Sequence, residues 1–219
     1  MFILYLQKDP RYFFAVVITI VVSITLHELA HGIVAIWRGD HTPIDQGHMT
    51  LNPAVHMGPI SIVALLVAGI AWGAMPIDPS RLRGKFAEAM VALAGPLSNI
   101  LLALLSLTAL GLWWRFEGEL RTDRTPLGNL QYLLQVFGLV NVVLAMFNLI
   151  PIPPLDGSKV LENFVPPFRT VVEHLSMTGA SMLVFLVAFS SAGKVIFPAA
   201  RNLSHQYLEL LSGMRLVWG

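Results

Sequence analysis

Apolar residues in this chain run in long blocks, and each block ends at a cluster of Pro, Gly, Asn or Asp. The first block, from about Phe13 to Trp37, follows Pro10 and stops at Gly39 and Asp40, which predicts a helix of membrane-spanning length. Residues 41–57, HTPIDQGHMTLNPAVHM, mix Pro, Gly, Asn and His with one short alternating piece around Met49 to Leu51, the pattern of a loop with a small hairpin. Residues 58–75 are apolar but barely long enough to cross a bilayer. Residues 86–114 predict a second clear span, in which Ala92, Ala94, Gly95 and Ser98 would let a neighbouring helix approach closely. A third span runs from about Tyr132 to Ile150. It ends where Pro151, Pro153 and Pro154 remove backbone donors and forbid further helix. A last span falls within 176–198, and 203–218 reads as a short amphipathic helix lying at the membrane surface. Trp37, Trp113, Trp114 and Tyr132, at the span ends, read as interface anchors.

Composition agrees with the blocks. Of 219 residues, 55% are hydrophobic and 12% charged, against about 25% charged in soluble domains. The expected fold is an all-α polytopic membrane protein, a helical bundle with a small membrane-embedded hairpin or re-entrant segment. The lipid bilayer is its surroundings. A single domain over 1–219, with its core at about 13–165, leaves no room for a sizeable soluble part. A net charge of +1 gives no reason to expect a nucleic-acid partner. With no cysteine there is neither a disulfide framework nor thiolate chemistry. The first residues, MFILYLQKDPRYFF, lack the plan of a signal peptide, so the first span is expected to remain in the mature protein.

The first span carries His27, Glu28 and His31 in the run HELAH. Histidines at i and i+4 project from one helix face and can meet at one metal ion, the HExxH arrangement of zinc hydrolases. Glu28, turned about 100° from His27, is kept off the metal but stays near enough to take a proton from a water beside it. The bland alternative is a set of pore-lining or packing polar residues. Ionisable groups inside spans are costly and tend to be functional, which favours the metal.

A third ligand should be acidic or histidine and reach the same depth from another helix. Asp156 is the best candidate, because NLIPIPPLDG breaks the span ahead of it, and broken backbone at membrane depth needs a protein-lined or watery surrounding. Asp156 and Gly157 also suit an ordinary exit turn.

HELAHG (27–32), AGPLSN (94–99) and NLIPIPPLDG (148–157) together resemble the site-2 protease family, the intramembrane zinc metalloproteases of peptidase family M50. The motifs stand in the family's order, each on the expected span. The resemblance implies that His27, His31 and Asp156 bind one Zn2+ per chain and that Glu28 is the general base. It also implies that Asn148 and Asn99 lie near the site or the substrate, and that the active site opens toward the cytosol from a bacterial cytoplasmic membrane. GHMTLNPAVHMGPI and WGAMPIDPSRLR look like a small subgroup with a hydrophobic insert in its embedded hairpin region. Several relatives have lysine where Met75 stands. Larger members insert a PDZ domain, for which RFEGELRTDRTPLGN is too short. His56 suits either a support for the site or a loop histidine bonded to backbone, and the second fits its loop setting better. His41, His48, His174 and His205 carry no assigned role.

Ligand geometry then constrains topology. His27 and His31 lie toward the C-terminal end of their span and Asp156 follows the C-terminal end of its own, so an even number of crossings must separate them, and 58–75 must dip in and return or be helical only in part. Basic residues divide almost evenly between the two sides and do not set the orientation. The function implied is hydrolysis of peptide bonds in or near the transmembrane segment of a protein or peptide substrate. The alternative from another class is a metal-binding transporter or channel. Glu28 argues against it, because a transport site needs no base beside its first ligand, and no repeat supports alternating access. A catalytically dead scaffold is disfavoured by the intact chemical positions. The sequence leaves the oligomeric state open.

Overall fold

The computed structural model describes residues 1–117, 124–178 and 180–213. After one 3-10 turn, Phe2–Leu4, the helices in chain order are α1 (Tyr5–Lys8), α2 (Pro10–Trp37), α3 (Thr42–Asp45), α4 (Pro53–Ala68), α5 (Ala87–Glu117), α6 (Pro126–Asn148), α7 (Asp156–Phe164), α8 (Pro166–Met177) and α9 (Ala180–Ser212). Among the described residues, α2, α5 and α6 are long and apolar enough to cross a membrane.

Local chemistry sets the helix starts. Asp9 Oδ1 accepts from the Tyr12 N–H at 3.3 Å ahead of Pro10. Asn52 Oδ1 accepts from the Ala54 N–H at 3.0 Å ahead of Pro53. Thr125 Oγ1 accepts from the Gly128 N–H at 3.2 Å ahead of Pro126. In each case a polar side chain satisfies an orphan donor, and a proline, which has no N–H to lose, takes the first turn. The predicted starts at 13, 86 and 132 therefore move to 10, 87 and 126.

Residues 46–52 form turns instead of a hairpin. The re-entrant element is built from α4 and the stretch that follows it. The α4 helix kinks at Gly58 (φ 66°) before Pro59 and stops at Gly69, which adopts the left-handed conformation (φ 75°) that a glycine accepts without strain. The tip reaches the aromatic group at the start of the chain, where Phe2 lies against Gly69 and stacks on Phe13 with ring centres 5.0 Å apart. The chain then runs back extended. Ser61 Oγ donates to the Trp72 carbonyl at 2.7 Å and accepts from its N–H at 2.9 Å, and the Ala74 N–H donates to the His56 carbonyl at 3.0 Å. The return ends where the segment began. Buried Asp40, just beyond α2, accepts from the Asp78 N–H at 2.8 Å and from the Thr42 N–H at 3.0 Å, and the Arg83 N–H donates to the Arg38 carbonyl at 2.8 Å. The segment therefore enters and leaves at one end of α2, and the crossing parity that the ligands require is kept.

The α2 helix is central, packed against α4, α5 and α6, while α5 also meets α7 and α9. The span expected at 176–198 and the surface helix expected at 203–218 form, over the described residues, one continuous helix, α9; residues 214–218 lie outside the described residues. Its end turns inward, where Leu208 joins Leu107, Leu110 and Trp114 in a buried cluster. Burial of those side chains holds the last turns on the bundle. Trp114 is thus a core residue and no interface anchor: it is fully buried, and its indole N–H donates to Gln131 Oε1 at 3.3 Å. Trp37 stays exposed beneath the Arg38 guanidinium, and Tyr132 faces that of Arg11.

This path predicts a labelling pattern. Because the chain has no cysteine of its own, Gln46→Cys and Ser80→Cys should react with an impermeant thiol reagent from the same side of the membrane, and Glu117→Cys from the other. Labelling of Gln46→Cys and Ser80→Cys from opposite sides would mean a single full crossing.

Candidate metal centre

His27 and His31, one turn apart on α2, turn their Nε2 atoms to the same point, 3.0 Å from each other. Asp156, the first residue of α7, enters from the far end of the fold in sequence: its Oδ2 lies 3.1 Å from His27 Nε2 and 3.4 Å from His31 Nε2. Both histidines are buried, and Asp156 is 9% exposed.

Asp156 is placed by the broken end of α6. After Leu149 the chain makes two tight turns, Ile152 N–H to the Ile150 carbonyl at 2.8 Å and Leu155 N–H to the Ile152 carbonyl at 2.9 Å, then starts α7. A Cβ on Gly157 would run into the carbonyl group of Leu149 and would lie 2.6 Å from the Ile150 oxygen. Only glycine lets α7 begin this close to the end of α6, and that fold-back brings Asp156 to the histidines.

The other ring nitrogens are engaged. His31 Nδ1 lies 2.7 Å from the Val91 carbonyl, and His27 Nδ1 lies 2.6 Å from Asn99 Oδ1. A carbonyl oxygen only accepts, so His31 carries its proton on Nδ1 and presents an Nε2 lone pair. Two such lone pairs and a carboxylate oxygen 3.0–3.4 Å apart repel one another unless a cation lies among them. The spacing matches that cation: ligand atoms about 2.0–2.1 Å from zinc at tetrahedral angles sit about 3.3 Å apart. The residues present fit a zinc ion.

Gly95 makes the site compact. A Cβ there would lie 2.5 Å from His27 Nε2 and would overlap His31 Nε2, so both rings rest directly on the α5 backbone. Glu28 is buried on the side facing the returning stretch, where a Cβ on Gly73 would fall 2.6 Å from its Oε1. Nearby, Met49 and Met75 close over Gly32, so each lays a thioether beside the metal helix.

Asn99 is fully buried behind His27, on the side away from the meeting point of the ligands. Asn148 is half-buried on the last turn of α6 and makes no hydrogen bond to His27, His31 or Asp156. His56 stands on α4 and not in a loop. It is 3% exposed, with Nε2 against the Thr50 carbonyl at 2.7 Å. Sequence reasoning missed Asn141 and Ser23. Asn141 accepts from Asn99 Nδ2 at 2.9 Å, and its own Nδ2 lies 2.8 Å from Ser23 Oγ. The signal available was an amide in the middle of a largely apolar span.

Fold and site define a helical protein with three membrane-spanning-length apolar helices and a buried cluster of side chains suited to a metal ion. The family model described as Peptidase family M50 matches residues 14–189, and the chain belongs to that family. It is similar to proteins named putative zinc metalloproteases. YwhC of Bacillus subtilis is 36% identical over 90% of this chain and 91% of its own length. Rip2 of Mycolicibacterium smegmatis is 31% identical over 66% of this chain and 55% of its own. MJ0611 of Methanocaldococcus jannaschii is 37% identical over 41% of this chain. No solved structure matches the chain. Zinc, a metalloprotease class and an integral membrane setting follow from these findings and the three apolar helices.

Gly95→Ala should reduce bound zinc in purified protein from about one ion per chain to well below half, because the added methyl displaces both imidazoles. Elemental analysis of metal per chain decides it, and full retention would show that the rings do not depend on that close approach.

Proposed function

We propose that this protein is an intramembrane zinc endopeptidase of the site-2 protease type, forming one domain over 1–219, that cleaves transmembrane protein or peptide substrates within or near their spans. The observation that carries the reading is the convergence of His27, His31 and Asp156 beside Glu28 inside a bundle of apolar helices. By resemblance to the family, the site opens toward the cytosol from a bacterial cytoplasmic membrane.

In this reading His27, His31 and Asp156 hold the ion. Bound there, zinc would act as a Lewis acid toward the scissile carbonyl and lower the pKa of water. Glu28, one residue from the first ligand, takes the proton from the attacking water and passes it to the leaving amine. By resemblance to the family, Asn148 lies near the substrate, while Asn99 is engaged by His27 and Asn141. The apolar shell keeps bulk water from the carboxylates, which strengthens each charge interaction.

A helical substrate hides its carbonyls in its own hydrogen bonds and must unwind before attack. The extended stretch 70–78 runs past Glu28 at Gly73. A substrate strand added along it would be drawn through the site with its backbone groups satisfied, which the apolar surroundings demand.

Glu28→Gln should keep zinc and fold while lowering cleavage of a model transmembrane substrate by about 10²–10⁴-fold, the range for loss of a general base. Asp156→Ala should lose zinc and activity together. Cleavage by Glu28→Gln at the wild-type rate would remove Glu28 from the mechanism, and full zinc retention by Asp156→Ala would remove Asp156 from the ligand set.

A further inference from the structure

Behind His27 lies a chain of polar side chains that joins the three apolar helices. His27 Nδ1 meets Asn99 Oδ1 at 2.6 Å on α5, Asn99 Nδ2 meets Asn141 Oδ1 at 2.9 Å on α6, and Asn141 Nδ2 meets both Ser23 Oγ on α2 and the Phe137 carbonyl at 2.8 Å. Asn99, Asn141 and Ser23 are each 0% exposed. Water has no access to repair a mismatched partner, so the chain must be consistent from end to end.

One end is fixed. The Phe137 carbonyl can only accept, so the Asn141 group facing it must be the NH2, and its oxygen must face Asn99. That oxygen can only accept, so Asn99 turns its NH2 toward Asn141 and its own oxygen toward His27. His27 must therefore carry its proton on Nδ1 and leave Nε2 with a lone pair. His31 reaches the same state in one step, through the Val91 carbonyl. Both rings thus take their orientation from a backbone carbonyl, His31 directly and His27 through two amides.

We propose that Asn141 is a positioning residue for the metal centre, setting the tautomer of His27 through Asn99 from the backbone of α6. The proposal rests on the zinc-site reading above. An apolar residue in its place leaves the Asn99 amide free to rotate. Asn99 then offers His27 either an oxygen or an NH2, and the NH2 orientation puts the imidazole proton on Nε2, where it excludes the metal. The same contacts tie α6 to α2 and α5, so helix packing alone must be separated from positioning. Gln131 supplies the control, being as deeply buried on the same helix but joined to Trp114, ten positions along α6 from Asn141.

The test is zinc affinity of purified full-length protein, by competition with a chelator, for wild type, Asn141→Leu and Gln131→Leu. Asn141→Leu keeps the size of the side chain and should weaken zinc about 10–100-fold, the range for losing an outer partner of a metal-bound histidine. Gln131→Leu should leave it unchanged. If the leucine variant does not fold, Asn141→Ala is read in its place with the same expectation. In zinc-loaded protein, 1H–15N spectra should show the His27 Nδ1 proton hydrogen-bonded and slow to exchange with solvent in wild type, and that protection lost in the Asn141 variant. Unchanged zinc affinity in the Asn141 variant, or an equal loss in Gln131→Leu, overturns the relay while leaving the metal site standing. A wild-type protein that binds no zinc overturns both.

Discussion

Two imidazoles and a carboxylate meet inside an apolar bundle, 129 residues apart along the chain at the widest pair. In such surroundings a polar group without a partner is destabilised by several kcal/mol. The rest of the structure can be followed outward from that demand. Each ring nitrogen that does not face the meeting point has an acceptor, and each acceptor traces back to a backbone carbonyl. Glycine 95 removes the side chain that would hold the rings away from α5, and Gly157 removes the one that would hold α7 away from α6. Proximity of backbone and polar saturation are two answers to one requirement.

The re-entrant segment answers a different part of it. An odd number of crossings between α2 and α7 would place the ligands at opposite faces, and the kink at Gly58 with the left-handed stop at Gly69 turns the chain back. Its return leaves extended backbone in a membrane protein, and Ser61 and His56 take up the groups of Trp72 and Ala74 that a helix would have satisfied internally. The same return lays Gly73 on Glu28 and Met75 on Gly32. One device therefore preserves the topology and forms a wall of the proposed active site. Asp40, which anchors the returning chain, sits just past the helix that carries HELAH, so the wall and the metal helix are fastened at a common end.

Local signals carried much of the architecture. Three blocks of apolar residues with proline and cap residues at their ends were enough to place α2, α5 and α6, because helix formation and burial in lipid depend on composition over a window. His27, Glu28 and His31 were legible together because a helix converts a spacing of four into a shared face. Asp156 was legible because three prolines break the span beside it.

Other features required the folded chain. Asn141 carries no motif, and its tie to Asn99 and Ser23 arises only when α6 is set against α2 and α5 at one rotation. Trp114 looked like an anchor because span ends are where tryptophan favours the interface, yet packing by α9 buries it. The union of the last two predicted elements into α9 was decided in the same way, by the burial that Leu208 gains against Leu107 and Leu110. Sequence by itself determined that α2, α5 and α6 are helical and which residues share a helix face, since those depend on neighbours within a few turns. Tertiary structure alone decided which faces meet, how far the re-entrant segment reaches, and which acceptor orients His27, because each of these is a contact between residues distant in the chain.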